Sequence, residues 1–401
     1  MVNKYHDTTF YLICSNIKDF KFINEIFGME KGNQVLIKQA KLMASNPSER
    51  TICARLMNDR FALCLPREEF DEKRVADSIK ELQREFSGNS FHLHTYMGVY
   101  EIRDRDEAVS IMVDKANIAA DTIKNNYDCC VAYYDEHLLE ISIEQRRLLG
   151  EFEPALQNDE FVMYLQPQVK RDGAAKGAEA LVRWVHPSRG ILTPYAFIDI
   201  LENAGLIYKL DLYIWEKAAQ KLAEWKEKGY GSYHISVNIS TKDFYIIDIY
   251  ETFTGLINKY GIAASNLHLE ITETTLMTDF EKNMNIIHKL QGVGFRVEID
   301  DFGSGYSSLN MLKDIPINTI KLDQVFFKTD AINAQRAKAI ISRILNLTHT
   351  LNIHSVAEGI ENESDMKFLQ RMGCDEIQGY YYSRPLSVSY FESYMDAVNK
   401  K

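Results

Sequence analysis

From about residue 152 onward, short apolar, β-branched segments alternate with amphipathic helical stretches, and nothing else in the chain limits its fold as strongly. The predicted strands cover residues 162–169, 178–184, 234–239, 267–272, 296–300, 319–322, 355–357 and 376–381. Eight strands separated by helices predict repeated βα units closed into a TIM-like (β/α)8 barrel. Thr193 followed by Pro194 reads as an N-cap with proline at the first helical position. Apolar stripes at Leu212, Trp215, Leu222 and Trp225, at Met284, Ile287 and Leu290, and at Ile340, Ile344, Leu347 and Leu351 are expected to pack in the core. The first two helices are expected to end near Gly229 and Gly292.

Polar residues recur in these strands, most of them at or near a strand end. They are Glu179, Asn238, Glu270 with Glu273, Asp300 with Asp301, Lys321, Glu358 with Glu361, and Gln378. In a barrel the strand ends converge on one face, where active sites are built. Neighbouring strand residues point to opposite faces, so Asp300 and Asp301 serve one site only if the strand ends there. Taken alone, Asp300-Asp301-Phe302-Gly303-Ser304-Gly305 also fits a surface turn. Among the other acids it reads as the metal-binding end of a strand followed by a mobile loop. Clustered carboxylates repel one another, and cations relieve the repulsion. The donors are all oxygen, without a His or Cys partner, which suits Mg²⁺ or Mn²⁺ over Zn²⁺. Two ions sharing a carboxylate would make a two-metal phosphodiesterase site. Plainer readings stand beside these. Arg183 could pair with a barrel acid, Lys321 with Asp323, and Glu361 could favour a helix N-terminus. Gln166, before Pro167, could be an ordinary strand-end residue. His234, His288 and His354 are expected in the core or on the surface rather than as ligands.

The 401 residues suggest two domains, and a hydrophobic fraction of 46% with 26% charged residues is that of a globular protein with sizeable cores. A net charge of −11 argues against a nucleic-acid polymer as partner but not against a small anion held by metals. The six cysteines lack metal spacing and fit reduced, mostly buried thiols in a cytoplasmic protein. No run is apolar enough for a membrane segment, and no signal peptide is visible. The short stretch before Thr8 leaves room for an upstream sensor outside this sequence. In the first third, residues 8–17 read as a strand, followed by a helix through Ile37 and Leu42. Residues 51–57 and 60–65 flank Asn58-Asp59, a two-residue hairpin signal. A strand at 91–101, a helix near 107–124 and a strand at 131–134 complete a mixed α/β domain. Residues 135–152 are polar and helical in pattern, a connecting helix without a flexible linker.

Asn16-Ile17-Lys18-Asp19-Phe20-Lys21, Ile23-Asn24-Glu25, Gly28, Gly32-Asn33 and the hairpin Arg55 to Phe61 resemble the diguanylate cyclase (GGDEF) domain. Met57 and Asn58 stand where the family carries two glycines, Asp59 keeps the first of its two acids, Arg60 reverses the charge of the second, and Asn16 stands in place of its first-strand metal aspartate. The arginine-based inhibitory motif is absent at Ser48 to Thr51. The resemblance therefore implies a degenerate GGDEF domain that has lost cyclase activity, with Asp59 a satisfied hairpin residue. Roles in GTP binding, dimer contact or regulation stay open.

Glu179-Ala180-Leu181 with Arg183, and the strand-end residues above, resemble the EAL family of cyclic di-GMP phosphodiesterases. The resemblance implies metal ligands at Glu179, Asn238, Glu270, Asp300, Asp301 and Glu358, with Asp301 at the second metal or shared by both. It implies Lys321 near the attacking water and the scissile phosphate, substrate contacts at Gln166, Arg183 and Gln378, and coupling of the loop to the dimer and metals through Glu273 and Glu361. It also implies a barrel whose first strand runs antiparallel, two Mg²⁺ or Mn²⁺ ions per active site, and a homodimer through the EAL domain. The expected division is residues 1–134, a connecting helix at 135–151, and 152–401. The expected reaction is hydrolysis of cyclic di-GMP to linear pGpG; the general base stays open between metal-bound hydroxide and Glu358, the best side-chain candidate. The rivals are a non-catalytic cyclic di-GMP receptor, against which the intact acids argue, and a bifunctional enzyme, against which Met57, Asn58 and Arg60 argue.

Overall fold

The computed structural model describes residues 1–18, 20–44, 48–86, 93–126, 129–303, 315–328 and 331–399. They form two compact units, Met1–Arg147 and Leu148–Lys401.

In the first unit β1 (Phe10–Ile17), α1 (Phe20–Met43), β2 (Ile52–Arg55), β3 (Phe61–Pro66), α2 (Glu72–Phe86), β4 (Thr95–Glu101), α3 (Val109–Thr122) and β5 (Val131–Tyr133) follow in order. The sheet order is β2-β3-β1-β4-β5. Central β1 is buried on both faces, which explains its unbroken apolar run. Tyr11, Ile13 and Ile17 pack with Ile23, Val35, Ile79 and Leu82, while Phe10, Leu12 and Cys14 pack with Ala62, Met112 and Ala116. Pairing of β2 with β3 stops at Arg55 and Phe61, short of the expected strand ends. Asn58 and Asp59 are still the central turn residues: Arg60 N–H donates to Met57 O at 3.0 Å, and Asn58 takes φ 54°. All six cysteines stand as free thiols, but only Cys14, Cys130 and Cys374 are buried and Cys53 is exposed, which corrects the expectation that most are buried.

Helix α4 (Glu136–Gln157) runs past residue 152 and contributes Leu148, Phe152 and Ala155 to the second unit's core. There β6 (Phe161–Lys170), β7 (Ala175–His186), β8 (Gly190–Leu192), β9 (His234–Ile239), β10 (Leu267–Thr272), β11 (Arg296–Phe302), β12 (Thr319–Leu322), β13 (His354–Ala357), β14 (Glu376–Ile377) and β15 (Leu386–Ser387) form one sheet. Its order is β15-β6-β14-β13-β12-β11-β10-β9-β7-β8, and the additional pairing of β6 with β7 closes an eight-stranded barrel. The pairings from β7 through β9 to β14 are parallel, whereas β6 is antiparallel to both of its barrel neighbours. The antiparallel first strand is therefore present. The short β8 and β15 are additions that the sequence pattern did not mark.

The outer helices are α5 (Ile198–Ala204), α6 (Ile207–Glu227), α7 (Asp243–Ile246), α8 (Ile249–Tyr260), α9 (Glu273–Thr278), α10 (Phe280–Val293), α11 (Ala331–Leu351), α12 (Glu363–Met372) and α13 (Val388–Asn399). The buried face of α6, Ile207, Leu210, Ile214, Trp215, Ala218, Leu222 and Trp225, recurs every three or four residues. Trp215 Nε1–H donates to Asn238 O at 2.9 Å and pins the end of β9. Three expectations need correction. The buried line of α11 is Ala337, Ile341, Leu345 and Thr348; Ile340 and Leu351 are exposed, because a double apolar stripe leaves the helix phase ambiguous. Helix α10 runs through Gly292 and ends at Gly294, whose φ of 109° makes the left-handed cap. Only Glu376 and Ile377 of the expected last strand pair in the sheet.

Strand β4 lies so close under α3 that a Cβ on Gly98 would sit 1.8 Å from Ala116 O. Gly98→Ala is expected to destabilise the first unit by roughly 1–3 kcal/mol through overpacking. Urea unfolding checks this, and an unchanged midpoint would refute the close contact.

Candidate active site

The strand ends bring eight of the sequence-selected residues together. Lys321, fully buried on β12, places its Nζ 2.7 Å from Glu270 Oε2, 2.6 Å from Glu358 Oε1, 3.2 Å from Asp300 Oδ1 and 3.3 Å from Glu179 Oε2. Asn238 Nδ2 donates to Glu179 Oε1 at 3.1 Å. Gln378 Nε2 donates to Glu179 Oε2 and to Gln166 Oε1, and Gln166 Nε2 in turn to Ser383 O at 3.3 Å. Each partner comes from a different strand or its end. The barrel register continues just past β13 and β14, where Glu358 N–H bonds Leu322 O at 3.0 Å and Gln378 N–H bonds Ala357 O at 2.8 Å.

Asp301 reaches the site through a β-bulge. Ile299 pairs with Ile320 and Phe302 with Leu322, so Asp300 and Asp301 together oppose Lys321. Asp301 takes φ 54°, a left-handed conformation that glycine, asparagine and aspartate adopt more readily than other residues. The strand does not have to stop for both acids to serve one centre. One carboxylate oxygen each from Asp300, Asp301 and Glu358 lies within 4.8 Å of the other two. Asp323, outside the sequence-selected set, lies beside Asp301 and caps the following turn by accepting Val325 N–H at 2.7 Å.

The electrostatics are dominated by burial and by too few cations. Burial, then the Glu179 charge, push the Glu270 carboxyl well above its ordinary range despite Lys321. Burial likewise raises Glu358 well above its ordinary range and also raises Asp300, each against the pull of Lys321. Burial opposes ionisation of Glu179 too, but Lys321 and the hydrogen bonds from Gln378 and Asn238 outweigh it and lower its value. Burial disfavours the Lys321 ammonium, yet Asp300, Glu179, Glu270 and Glu358 hold it charged well above its usual range. Desolvation, then Asp300 and Asp323, push Asp301 up to about 6. Glu270 Oε1 is buried without a hydrogen-bond donor among the described residues. An all-oxygen donor set, a surplus of acids and an orphaned buried acceptor fit a hard divalent cation.

Other selected residues lie at the margin. Arg183, four residues beyond Glu179 on β7, places its guanidinium 5.5 Å from the Tyr164 ring centre and donates to Val182 O at 2.7 Å. Glu273 opens α9, and Glu361 is exposed in the segment before α12. The loop they were expected to hold, with Ser304 and Gly305, lies outside the described residues. His234 and His354 enter the barrel interior's polar contacts, His288 is exposed, and none of the three joins the acidic ring. Sequence reasoning missed Glu298, His268 and Ser236, one inward step down their strands from Asp300, Glu270 and Asn238. Their signal was the period-two spacing itself. Burial opposes a charged Glu298, but the charge and hydrogen bond of His268 hold its carboxyl down at about 2.

In the first unit, Asn16 Nδ2 donates to Tyr96 OH at 3.1 Å, and Asp59 Oδ2 accepts Ile17 N–H at 3.1 Å. Met57 is 75% exposed, so the turn presents a bulky side chain.

The EAL domain family model matches residues 150–385, and the family model for the diguanylate cyclase, GGDEF domain matches residues 2–128. The chain belongs to the EAL family and carries the GGDEF domain in tandem before it. Among its relatives is the bifunctional diguanylate cyclase/cyclic di-GMP phosphodiesterase MucR of Pseudomonas aeruginosa, 31% identical over 95% of this chain and 56% of that protein. The cyclic di-GMP phosphodiesterase PdeR of Escherichia coli is 26% identical over 97% of this chain and 59% of its own length. A solved structure described as the PaMucR phosphodiesterase in complex with c-di-GMP aligns with a TM-score of 0.58 and 34% identity, covering 61% of this chain and 99% of that one. The chain spans about half the length of the curated relatives it matches. No helix among the described residues is long and apolar enough to cross a membrane.

Because the folded-state value of Asp301, about 6, lies above its ordinary 3.8, the stability it contributes is complete below that ordinary value and is lost as pH rises through about 6. A cation that favours the carboxylates offsets that loss. Mn²⁺ should therefore raise the melting temperature of the second unit more at about pH 7.5 than at about pH 5. Scanning fluorimetry at the two pH values checks this, and equal shifts at both would contradict it.

Proposed function

We propose that this chain is a cytoplasmic phosphodiesterase that hydrolyses cyclic di-GMP to linear pGpG. The observation that carries the reading is the ring of Glu179, Glu270, Asp300 and Glu358 around Lys321 at the strand ends of an EAL-family barrel. The 34% identity to a phosphodiesterase solved with c-di-GMP supports the substrate. Glu179, Asn238, Glu270, Asp300, Asp301 and Glu358 would hold two Mg²⁺ or Mn²⁺ ions. When bound, such ions activate water and neutralise charge developing on phosphate.

The chain's own residues do the rest. Gln166, Gln378 and Arg183 hold the dinucleotide with one phosphodiester over the ring. Lys321 orients the attacking water and stabilises the phosphoryl oxygens as charge develops. The water oxygen bonds to phosphorus, the bond to the 3′ oxygen breaks, and that oxygen takes up a proton. Glu358 is the side-chain candidate for accepting the proton of the water, a reading supported by its position next to Lys321 and Asp300. Glu273 and Glu361 couple the loop after Asp301 to the ring and to a second copy of the EAL domain. We assign residues 1–134 to a GGDEF domain without cyclase activity, 135–151 to the connection and 152–401 to the phosphodiesterase. Asp59 spends its carboxylate on Ile17 N–H, which supports the inactive reading. The first domain then serves regulation, with GTP as a candidate ligand.

Product analysis tests the whole reading. Incubation of the full chain with cyclic di-GMP and Mg²⁺ should yield pGpG, and incubation with GTP should yield no cyclic di-GMP. Tight binding with cyclic di-GMP left intact would favour a receptor instead, and new cyclic di-GMP from GTP would overturn the inactive assignment.

Point variants test the roles. Glu179→Ala should abolish hydrolysis in a folded protein, and Lys321→Ala should lower kcat by about 100-fold or more. Wild-type rates in either would sink the corresponding role. Glu273→Ala should alter activity and its Mg²⁺ dependence; if both stay as in the wild type, the loop is only a turn.

A further inference from the structure

One step down β9, β10 and β11 from the acidic ring, the barrel interior is polar where branched apolar side chains commonly fill such barrels. Ser236, His268 and Glu298 precede Asn238, Glu270 and Asp300 by two residues on β9, β10 and β11. The period of two puts each pair on one face of its strand. All three lower residues are buried. Glu298 Oε1 lies 2.6 Å from His268 Nδ1, and Ser236 Oγ–H donates to Glu298 Oε2 at 3.2 Å. The other His268 ring nitrogen contacts Ser265 O at 3.1 Å, which fixes the ring.

The contacts continue sideways. His234 stacks on His268 with ring centres 4.0 Å apart, and its Nε2 lies 3.0 Å from Gln168 Oε1 on β6. On β7 only glycine leaves room for it, since a Cβ at Gly177 would lie 2.0 Å from His234 Nε2. One network thus links β6, β9, β10 and β11 across the space that Gly177 opens. None of its members belongs to the acidic ring.

Stability alone does not explain a buried carboxylate here. Well-packed apolar residues in place of a buried ion pair are often neutral or stabilising. A carboxylate bridging two neighbouring strands does what an apolar side chain does not: it fixes their relative height and tilt through directional bonds. Ring geometry depends on that, because metal–ligand distances tolerate only about 0.2 Å.

We propose that Glu298, tethered by His268 and Ser236, is a positioning residue that sets the spacing of Asn238, Glu270 and Asp300 for divalent-cation binding. The proposal rests on the reading that the ring holds metal, and it acts on affinity for the cation rather than on the fold.

The test replaces the tether by an apolar filling, Glu298→Met together with His268→Leu, in the full chain. Mn²⁺ binding without substrate is measured by calorimetry, beside thermal unfolding. The expected result is a melting temperature at or above wild type with a Kd for Mn²⁺ raised about 10–100-fold. Wild-type affinity in the folded double variant overturns the proposal. Should that pair fail to fold, Glu298→Gln carries the same readout. It is expected to weaken Mn²⁺ binding about tenfold, and unchanged affinity again overturns the tether. A wild-type chain that binds no Mn²⁺ removes the metal reading and the tether with it. Hydrolysis of cyclic di-GMP is scored separately, so a failure of the proposed reaction is distinguishable from a failure of the tether.

Discussion

Everything at the barrel's working end depends on one ammonium group facing too many carboxylates. Lys321 is fully buried and lies within 3.3 Å of Glu179, Glu270, Asp300 and Glu358. One positive charge balances one of the four acids. The rest are pushed toward their neutral forms, as the raised values of Glu270, Glu358 and Asp300 show. A fold held together by this arrangement alone would waste it, because buried acids that must protonate contribute little electrostatic stability. The arrangement makes physical sense as a receptacle for additional positive charge. That is why the surplus of acid, more than any single acid, carries the functional reading.

The barrel supplies the convergence, and small irregularities supply the aim. Glu179, Asn238, Glu270 and Lys321 face the centre through the ordinary alternation of side chains along a strand. Asp301 does not; alternation would turn it away from Asp300. The extra residue in β11 opposite Lys321, with the left-handed backbone at Asp301, turns it back. Such a conformation costs most residues with a Cβ roughly 1–2 kcal/mol and aspartate less, because its short polar side chain can bond locally. Bulges beside active sites serve to re-aim a side chain, and here the re-aimed side chain joins the three-carboxylate group with Asp300 and Glu358. The strain and the site are features of the same two residues.

Much of this was legible in the sequence, and the parts that were not share a cause. Strands His234–Ile239, Leu267–Thr272 and Thr319–Leu322 match their sequence-based bounds residue for residue, because β-branched runs flanked by turn residues are unambiguous. The strand-end residues were legible because their chemistry is out of place in an apolar strand. Sequence offers no comparable signal for a bulge, since the residues of β11 are the same whether the pairing is regular or shifted. Helix phase in α11 was misjudged because Ile340, Ile341, Ile344, Leu345 and Leu347 are apolar on two adjacent stripes, and only packing selects between them. Glu298 and His268 were overlooked although they obey the very alternation used to place Asp300 and Glu270. Catalytic residues are expected at strand ends, and a polar residue one step further down the inward face carries no such expectation.

That step changes what the interior of the barrel is for. An apolar interior would hold the strands together and leave their ends free to adjust by fractions of an ångström. The polar contacts of Ser236, His268 and Glu298 instead connect β9, β10 and β11 through directional bonds, just where those strands carry Asn238, Glu270 and Asp300. Trp215 adds a further constraint from outside by pinning the carbonyl of Asn238. Repulsion within the ring tends to spread the strand ends apart, and a buried network one layer below resists that spreading whether or not a cation is present. The ring can therefore hold its acids close before any counter-charge beyond Lys321 arrives. That is the condition for binding a cation with little reorganisation.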